Sequence, residues 1–137
     1  MTDTVLTKTI YLRATPAKVW EYLTEPNKLA IWFHKPDAAL VVGPYEMFGA
    51  DSGDRLMWGE VLVADPFTRL EYTFTIAPMG SKSSTVKWTL EEVAGGTKLS
   101  LWHEGLPQGA DAFDLTLALD KGWDDHLARM RASLHAN

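Results

Sequence analysis

Two histidines are the residues of this chain best suited to proton transfer or ligand recognition. His103 is followed by Glu104 at the end of a predicted strand, and His126 lies three residues after Trp123 in a predicted helix. An imidazole that points into a cavity can act as an acid or base, or hydrogen-bond a ligand. A histidine at the surface or in a cap explains the same pattern, and for each residue alone the sequence favours that simpler interpretation.

No metal or catalytic motif accompanies these histidines. His103-Glu104 lacks the second histidine that a helical zinc motif places four positions further on. The run Asp124-Asp125-His126 contains ligand atoms, but adjacent helical positions point in different directions. No Ser-His-Asp order, Gly-rich phosphate loop or nucleotide fingerprint is present. We therefore predict no metal site and no cofactor, and we assign no catalytic residue.

Aromatic residues are the more informative set, with six Trp, five Phe and four Tyr. Trp and Tyr combine a large apolar surface with an N–H or O–H group that needs a partner when buried. Core packing explains any one of them, but the set around a curved sheet predicts a ligand pocket equally well. The predicted ligand-binding residues are Trp32, Phe33, Tyr45, Phe48, Tyr72, Phe74, Trp88, His103, Trp123 and His126.

Apolar burial alone would give such a pocket little affinity. Covering about 300 Å² of ligand surface at ~25 cal/mol/Å² yields roughly 7 kcal/mol, and association costs at least ~4 kcal/mol of that. Selective binding therefore needs polar anchors. The candidate anchors are His103, Tyr72, Trp88 and His126.

An antiparallel sheet is predicted to position these side chains. Two-residue alternation is clearest from Leu70 to Ile76, where Tyr72 and Phe74 share one face. Thr15-Pro16 has the residues of a helix start, and a second short helix is predicted from Lys28 to Phe33. The predicted strands are Val5–Arg13, Ala38–Val42, Tyr45–Phe48, Leu56–Ala64, Leu70–Ile76, Thr85–Val93 and Lys98–His103.

One long helix, roughly Asp111 to His135, is the only predicted element able to cover this sheet. Its apolar residues recur at steps of three and four, which keeps them on one face. A sheet that curves around a single helix tends to leave a gap, and small ligands bind in such gaps. The stripe consists of Leu115, Leu119, Trp123, Leu127, Met130 and Leu134.

The bulk composition limits the class of protein. A chain of 137 residues fits a single domain, taken here as residues 1–137. A net charge of -5 without a dense Lys/Arg run argues against nucleic acid and anionic lipid as partners. No apolar stretch approaches the ~18 residues of a membrane span, and Met1–Lys8 lacks signal-peptide features. The absence of cysteine excludes disulfides, and we expect a cytoplasmic protein.

Several short motifs, in their order along the chain, resemble a known family. They resemble the START-like (SRPBCC) superfamily and, within it, homologues of the C-terminal domain of the activator of the heat-shock chaperone ATPase. The resemblance implies an α+β helix-grip fold, with two short helices after the first strand and a curved antiparallel sheet around a long C-terminal helix. The matching segments are Ala14–Pro16, Val19–Trp20, Leu29–Phe33, Gly59–Val61, Asp65–Pro66, Arg69–Leu70, Gly96–Leu99, His103–Leu106 and Gly122–Trp123.

The resemblance also implies a hydrophobic cavity in a superfamily that binds lipids, sterols, polyketides and other apolar molecules. We therefore predict a binding module for a small, largely apolar ligand held between the sheet and the C-terminal helix. An enzyme that uses His103 or His126 as acid or base on an apolar substrate is the first alternative. A regulator that contacts a chaperone is the alternative that the resemblance adds. The partners considered besides a small apolar molecule are a chaperone and a second copy of this chain.

Overall fold

A seven-stranded antiparallel sheet and three α-helices make up the part of the chain that the computed structural model describes, residues 4–49 and 51–136. The strand order is β1-β7-β6-β5-β4-β3-β2, so β1 and β2 are the edges. Met1–Asp3, part of the segment considered for a signal peptide, lie outside the described residues. The strands are β1 Leu6–Leu12, β2 Lys35–Pro36, β3 Gly43–Phe48, β4 Arg55–Asp65, β5 Arg69–Phe74, β6 Ser84–Val93 and β7 Gly96–Glu104.

The helices are α1 Pro16–Thr24, α2 Pro26–Trp32 and α3 Phe113–Leu134, with short 3-10 turns at Ala77–Met79 and Ala110–Ala112. The sheet curves around α3, and α1 and α2 follow β1. This arrangement confirms the predicted helix-grip fold. None of the described helices is both long and apolar enough to cross a membrane.

Local signals explain where α1 and α2 begin. The Thr15 hydroxyl accepts a hydrogen bond from the Lys18 N–H at 3.2 Å, and Pro16 occupies the first helical turn. A proline there loses nothing, because its missing N–H would have had no partner inside the helix. Pro26 opens α2 in the same way directly after α1 ends. The two helices are therefore separate, as the sequence predicts.

The strand predicted at residues 38–42 is wrong. This segment is irregular, and the short β2 at Lys35–Pro36 pairs with β3 instead. Leu40 alone enters the core, where it is 5% exposed and its N–H donates to the Thr24 carbonyl at 3.0 Å. The two valines that follow are exposed, at 66% and 64%. A short apolar run without alternation is weak support for a strand, and one buried side chain suffices to hold this loop.

Polar contacts tie α3 to the elements beneath it. The Lys8 ammonium on β1 lies 2.6 Å from an Asp120 carboxylate oxygen and 3.0 Å from one of Asp124. Burial lowers the pKa of Lys8, but its hydrogen bonds with the two carboxylates outweigh burial and leave that pKa raised. Near the end of α3, the Ser133 hydroxyl lies 2.7 Å from the Tyr22 hydroxyl of α1.

Candidate functional site

The apolar stripe of α3 is buried from Trp123 to Met130 and half-buried at Leu115 and Leu119. Trp123, Leu127 and Met130 are at most 4% exposed. Leu115 and Leu119, on the same stripe, are only half-buried. Leu134, at the C-terminal end of the stripe, is half-buried too. The stripe is therefore covered from Trp123 to Met130, and apolar surface stays partly open along the first two turns of α3. Two neighbouring apolar side chains there are more than half exposed, Phe113 at 59% and Leu117 at 52%.

Aromatic rings fill the seam between the sheet and the C-terminal half of α3. The Trp88 ring meets the Trp123 ring edge to face, with centroids 5.6 Å apart, and the Trp32 ring at 6.0 Å. Phe33 stacks on Trp123 at 5.3 Å. These are favourable geometries for aromatic packing. Of five pockets lined by described residues, none has Trp32, Trp88 or Trp123 in its wall. One of them, of about 220 Å³, lies between β1 and the C-terminal half of α3, beside Ile10 and Leu127.

His103 is fully buried and is the centre of a hydrogen-bonded chain. Trp123 Nε1–H donates to His103 Nδ1 at 3.1 Å, and His103 Nε2 lies 2.7 Å from the Ser84 hydroxyl. That hydroxyl in turn donates to the Phe74 carbonyl at 3.0 Å. Because Nδ1 accepts a hydrogen bond from an indole, the imidazole proton must be on Nε2 and must point at Ser84. The polar side-chain atoms of Trp123, His103 and Ser84 therefore all have hydrogen-bond partners.

The tautomer of His103 bears directly on catalysis. A histidine that activates a serine must accept the hydroxyl proton on the nitrogen that faces it. In His103 that nitrogen already carries a hydrogen, so the Ser84–His103 pair lacks the form of an activated nucleophile. Burial lowers the pKa of His103 to about 4, which keeps the ring neutral near pH 7. This geometry argues against His103 as a general base.

Ser84 is a residue of this site that no sequence motif indicated. The inward alternation at Val86 and Trp88 extends back by one step to Ser84, and β6 pairs Val86 with His103. The sequence does place a serine on the inner face of one strand and a histidine on the next strand, which is the pattern that could have indicated this pair. It needed the strand register, which the sequence alone did not provide.

His126 lies at the contact between α2 and α3. Its Nδ1 is 2.8 Å from the Trp32 carbonyl oxygen and 2.6 Å from Arg129 Nη2. One nitrogen cannot both donate to a carbonyl and accept from a guanidinium. The carbonyl is fixed at the end of a helix whereas Arg129 is exposed and free to turn, so we place the hydrogen on Nδ1, donating to Trp32. Burial is the main cause of the lowered pKa of His126.

His34 adjoins His126, although no sequence pattern indicated it as a site residue. The two imidazole rings are 5.5 Å apart, and the His34 ring stacks on Phe33 at 4.4 Å. Burial, together with smaller effects of the nearby His126 and Arg129, lowers the pKa of His34 to about 4. Within the described chain, no group of three or more His, Asp or Glu side chains is placed to hold a metal ion.

Two buried tyrosines, Tyr72 and Tyr45, make further hydrogen bonds in the interior. Trp88 Nε1–H donates to the Tyr72 hydroxyl oxygen at 3.0 Å, and the Tyr45 hydroxyl donates to the Thr73 carbonyl. The Tyr45 and Tyr72 rings are 5.5 Å apart. Tyr45 pairs with Gly59 across the strands, where any Cβ would collide with the Thr73 carbonyl oxygen. Burial raises the pKa of both phenols, so each keeps its proton near pH 7.

Most of the predicted ligand-binding residues lie together. Trp32, Phe33, Phe74, Trp88, His103, Trp123 and His126 form one connected set of ring contacts. Tyr72 joins this set through Trp88, and Tyr45 joins it through Tyr72. Phe48 lies apart, half-buried in the wall of a surface pocket of about 480 Å³ beside Gly49 and Lys35.

Solved structures with the same fold include three informative ones. DynU16, a protein of the dynemicin biosynthetic locus, is 25% identical with a TM-score of 0.83, over 97% of this chain and 48% of that one. This chain thus spans about half the length of DynU16. Protein MLL2253 from Mesorhizobium loti is 26% identical with a TM-score of 0.81, over 93% and 94% of the two chains. The Aha1 dimer from Colwellia psychrerythraea, 18% identical with a TM-score of 0.77 over 96% of each chain, shares the fold.

The sequence also matches a family model. A comparison with curated proteins found no match. The model described as "Activator of Hsp90 ATPase homolog 1-like protein" matches residues 13–135, from the end of β1 to the residue after α3. The predicted resemblance is confirmed. This chain belongs to the family of Activator of Hsp90 ATPase homolog 1-like proteins.

Proposed function

We propose that this protein binds a small, largely apolar molecule between the sheet and the N-terminal half of α3. The observation that carries the proposal is the change in burial along one stripe. Leu127 is 4% exposed, whereas Leu119, two turns earlier on the same face, is only half-buried. Apolar surface that a fold leaves open in this way is typical of a binding site.

The energy of covering this surface favours an apolar ligand. Each Å² of apolar surface removed from water contributes about 25 cal/mol, and the ligand gains a similar amount for its own surface. Leu115 and Leu119 supply such surface on the inner side of α3, with Phe113 and Leu117 close by along the helix. A polar or highly charged ligand would gain nothing comparable here.

The aromatic set gives the proposed site a wall. Trp123 follows Leu119 by one helical turn, and its ring is 6.1 Å from the Phe74 ring on β5. A molecule beneath Leu119 would lie next to the Trp123 ring, which also packs against Trp88 at 5.6 Å. Flat aromatic walls suit planar or unsaturated apolar molecules. The locus of DynU16 is a biosynthetic one, which is in keeping with a small-molecule ligand.

A matched pair of variants tests the proposal. Native mass spectrometry and ligand-detected NMR with a panel of lipids and polyketides would first identify a bound probe. Leu119→Glu should then weaken binding of that probe roughly tenfold or more, because a carboxylate enters the apolar site. Leu62→Glu is the control, since Leu62 lies on β4 and is 45% exposed. Equal loss in both variants, or no bound probe in the wild type, would contradict the proposal.

The same half-exposed face of α3 is the observation that favours a protein partner as the second candidate. The family description points to a chaperone ATPase, and the Aha1 dimer from Colwellia psychrerythraea points to a second copy. Stimulated ATP hydrolysis by an Hsp90-type chaperone, abolished by Leu119→Glu, would establish the first partner. A dimer in light scattering that Leu119→Glu dissociates would establish the second.

A further inference from the structure

Of the four predicted polar anchors, Tyr72 is the one that retains an unused hydrogen-bond donor. Trp88 donates its N–H to Tyr72 itself. The single N–H of neutral His103 points at a serine hydroxyl, and that of His126 is placed on a main-chain carbonyl. These three side chains therefore have no hydrogen left to offer a ligand.

The Tyr72 hydroxyl has a partner for its oxygen but none for its hydrogen. The oxygen accepts from Trp88 Nε1 at 3.0 Å, and across residues 4–49 and 51–136 no atom accepts from its O–H. Tyr72 is only 2% exposed. The neighbouring Tyr45 hydroxyl is directed elsewhere, to the Thr73 carbonyl. A buried donor without an acceptor is costly, so native proteins nearly always supply one.

The position of Tyr72 connects this donor to the proposed site. Tyr72 and Phe74 are successive inward-facing residues of β5, and the Phe74 ring lies 6.1 Å from the Trp123 ring. Trp88, which holds the Tyr72 oxygen, also contacts the Trp123 ring at 5.6 Å. Trp88 therefore lies between the Tyr72 hydroxyl and the Trp123 ring of the aromatic wall, and contacts both.

We infer that Tyr72 donates a hydrogen bond to a neutral acceptor oxygen of the ligand, so that this protein prefers carbonyl-bearing apolar molecules over hydrocarbons of the same shape. This inference rests on the proposed function. Because the Tyr72 oxygen already accepts a hydrogen bond from the Trp88 N–H, this hydroxyl is left to act as a donor. A carboxylate would be a poor acceptor, since no Lys or Arg in the described residues is buried to compensate its charge.

Fluorene and 9-fluorenone form a matched pair of probes, because they share a planar shape and differ by a CH₂ group in place of a carbonyl. Their affinities are to be measured by titration calorimetry for the wild type and for Tyr72→Phe. We expect the wild type to bind fluorenone roughly fivefold to tenfold more tightly than fluorene. Tyr72→Phe should remove that preference and leave the affinity for fluorene unchanged.

Tyr22→Phe is the control substitution. Tyr22 is also buried, at 4% exposure, but its hydroxyl is already paired with Ser133 at 2.7 Å. This variant should keep the wild-type preference for fluorenone. Loss of the preference in both variants would show a general effect of removing a buried hydroxyl and would overturn the inference.

The infrared carbonyl stretch of bound fluorenone gives a test that needs no variant. A hydrogen bond from Tyr72 should lower this frequency in the wild type relative to fluorenone in an apolar solvent. An unshifted stretch, or equal affinity for the two probes, would overturn the inference and leave the proposed function intact. That result would mean that Tyr72 donates to a buried water instead. Failure of both probes to bind would contradict the proposed function itself.

Discussion

The two halves of α3 carry the same apolar pattern but have different surroundings. Leu119 and Leu127 each lie four residues from Trp123, on opposite sides of it. Leu127 is 4% exposed, whereas Leu119 is half-buried. A periodic stripe therefore shows which face of a helix turns inward. It does not show how tightly the sheet closes on that face.

Polar contacts follow the same division. Trp123, His126 and Ser133 hydrogen-bond residues of the sheet, α2 and α1 respectively. In the first two turns of α3, the one side-chain hydrogen bond within the described residues is local, from the Thr116 hydroxyl to the Ala112 carbonyl. The C-terminal half is therefore fixed by directional bonds as well as by packing. Near the middle of the helix, Asp120 also pairs with Lys8 of β1.

The largest expected effect is the difference between two identical substitutions in the two halves. Leu127→Ala should lower the free energy of unfolding by about 2–5 kcal/mol, because it leaves a cavity in a packed region. Leu119→Ala should lower it by roughly 1 kcal/mol or less, since its side chain is partly hydrated already. Urea unfolding of both variants would measure the contrast. Equal losses would remove the distinction between the halves.

Acid should lower the stability of the fold through His103, which is bonded to Trp123 of α3. Burial lowers the pKa of His103 to about 4 in the folded protein, below the value of about 6.5 in the unfolded chain. The unfolded chain therefore binds the proton more readily, and stability is lost as pH falls from about 6.5 towards 4. Complete protonation of this one group corresponds to about 3 kcal/mol.

Urea midpoints between pH 7 and pH 4.5 would measure this loss. His103→Gln should be less stable than the wild type at pH 7 but should lose less upon acidification. His34, whose pKa burial also lowers to about 4, retains its share of the pH dependence in that variant. Parallel curves for the variant and the wild type would show that His103 is not the responsible group.

A smaller effect is expected for the serine beside His103. Ser84→Ala should cost about 1–3 kcal/mol, because the His103 N–H loses its acceptor while still buried. Ser100→Ala, a half-buried residue on the adjacent strand β7, is the matched control and should change stability by at most about 0.5 kcal/mol. Thermal unfolding of the two variants would measure this difference. Equally small shifts in melting temperature would show that the hydrogen bonds from Trp123 through His103 to Ser84 do not stabilise the fold.

The smallest effect is expected at the boundary between the halves. Lys8→Met removes the ion pairs with Asp120 and Asp124 but keeps the apolar part of the side chain on β1. Partly exposed pairs contribute about 0.2–1 kcal/mol, so the urea midpoint should shift little and the shift should shrink in high salt. A loss near that of Leu127→Ala would mean that this contact, rather than packing, positions α3.

Local signals explain how much of the fold could be predicted. Thr15-Pro16 began α1 as predicted, and the alternation around Tyr72 and Phe74 gave the correct inward face. These features depend on neighbours within a few residues. The prediction of a strand at residues 38–42 failed because the structure of this segment depends on the contact of Leu40 with α1, which no local pattern encodes.

The inward positions of the aromatic side chains were predictable, but their hydrogen bonds were not. The inward positions of Trp88 and Trp123 follow from period two and period 3.6. The tautomer of His103 follows from partners on β6 and α3, which only the folded chain brings together. The free donor on Tyr72 likewise depends on the hydrogen bonds that Trp88 and Tyr45 make in the folded chain.

The hydrogen on His103 Nε2 makes this residue a natural spectroscopic reporter. An imidazole N–H shielded from water and held at 2.7 Å from a hydroxyl should exchange slowly enough to give its own proton resonance. Since the chain contains four histidines, assignment needs few variants. The rate at which that resonance disappears in deuterated water would measure how often the contact between the sheet and α3 opens.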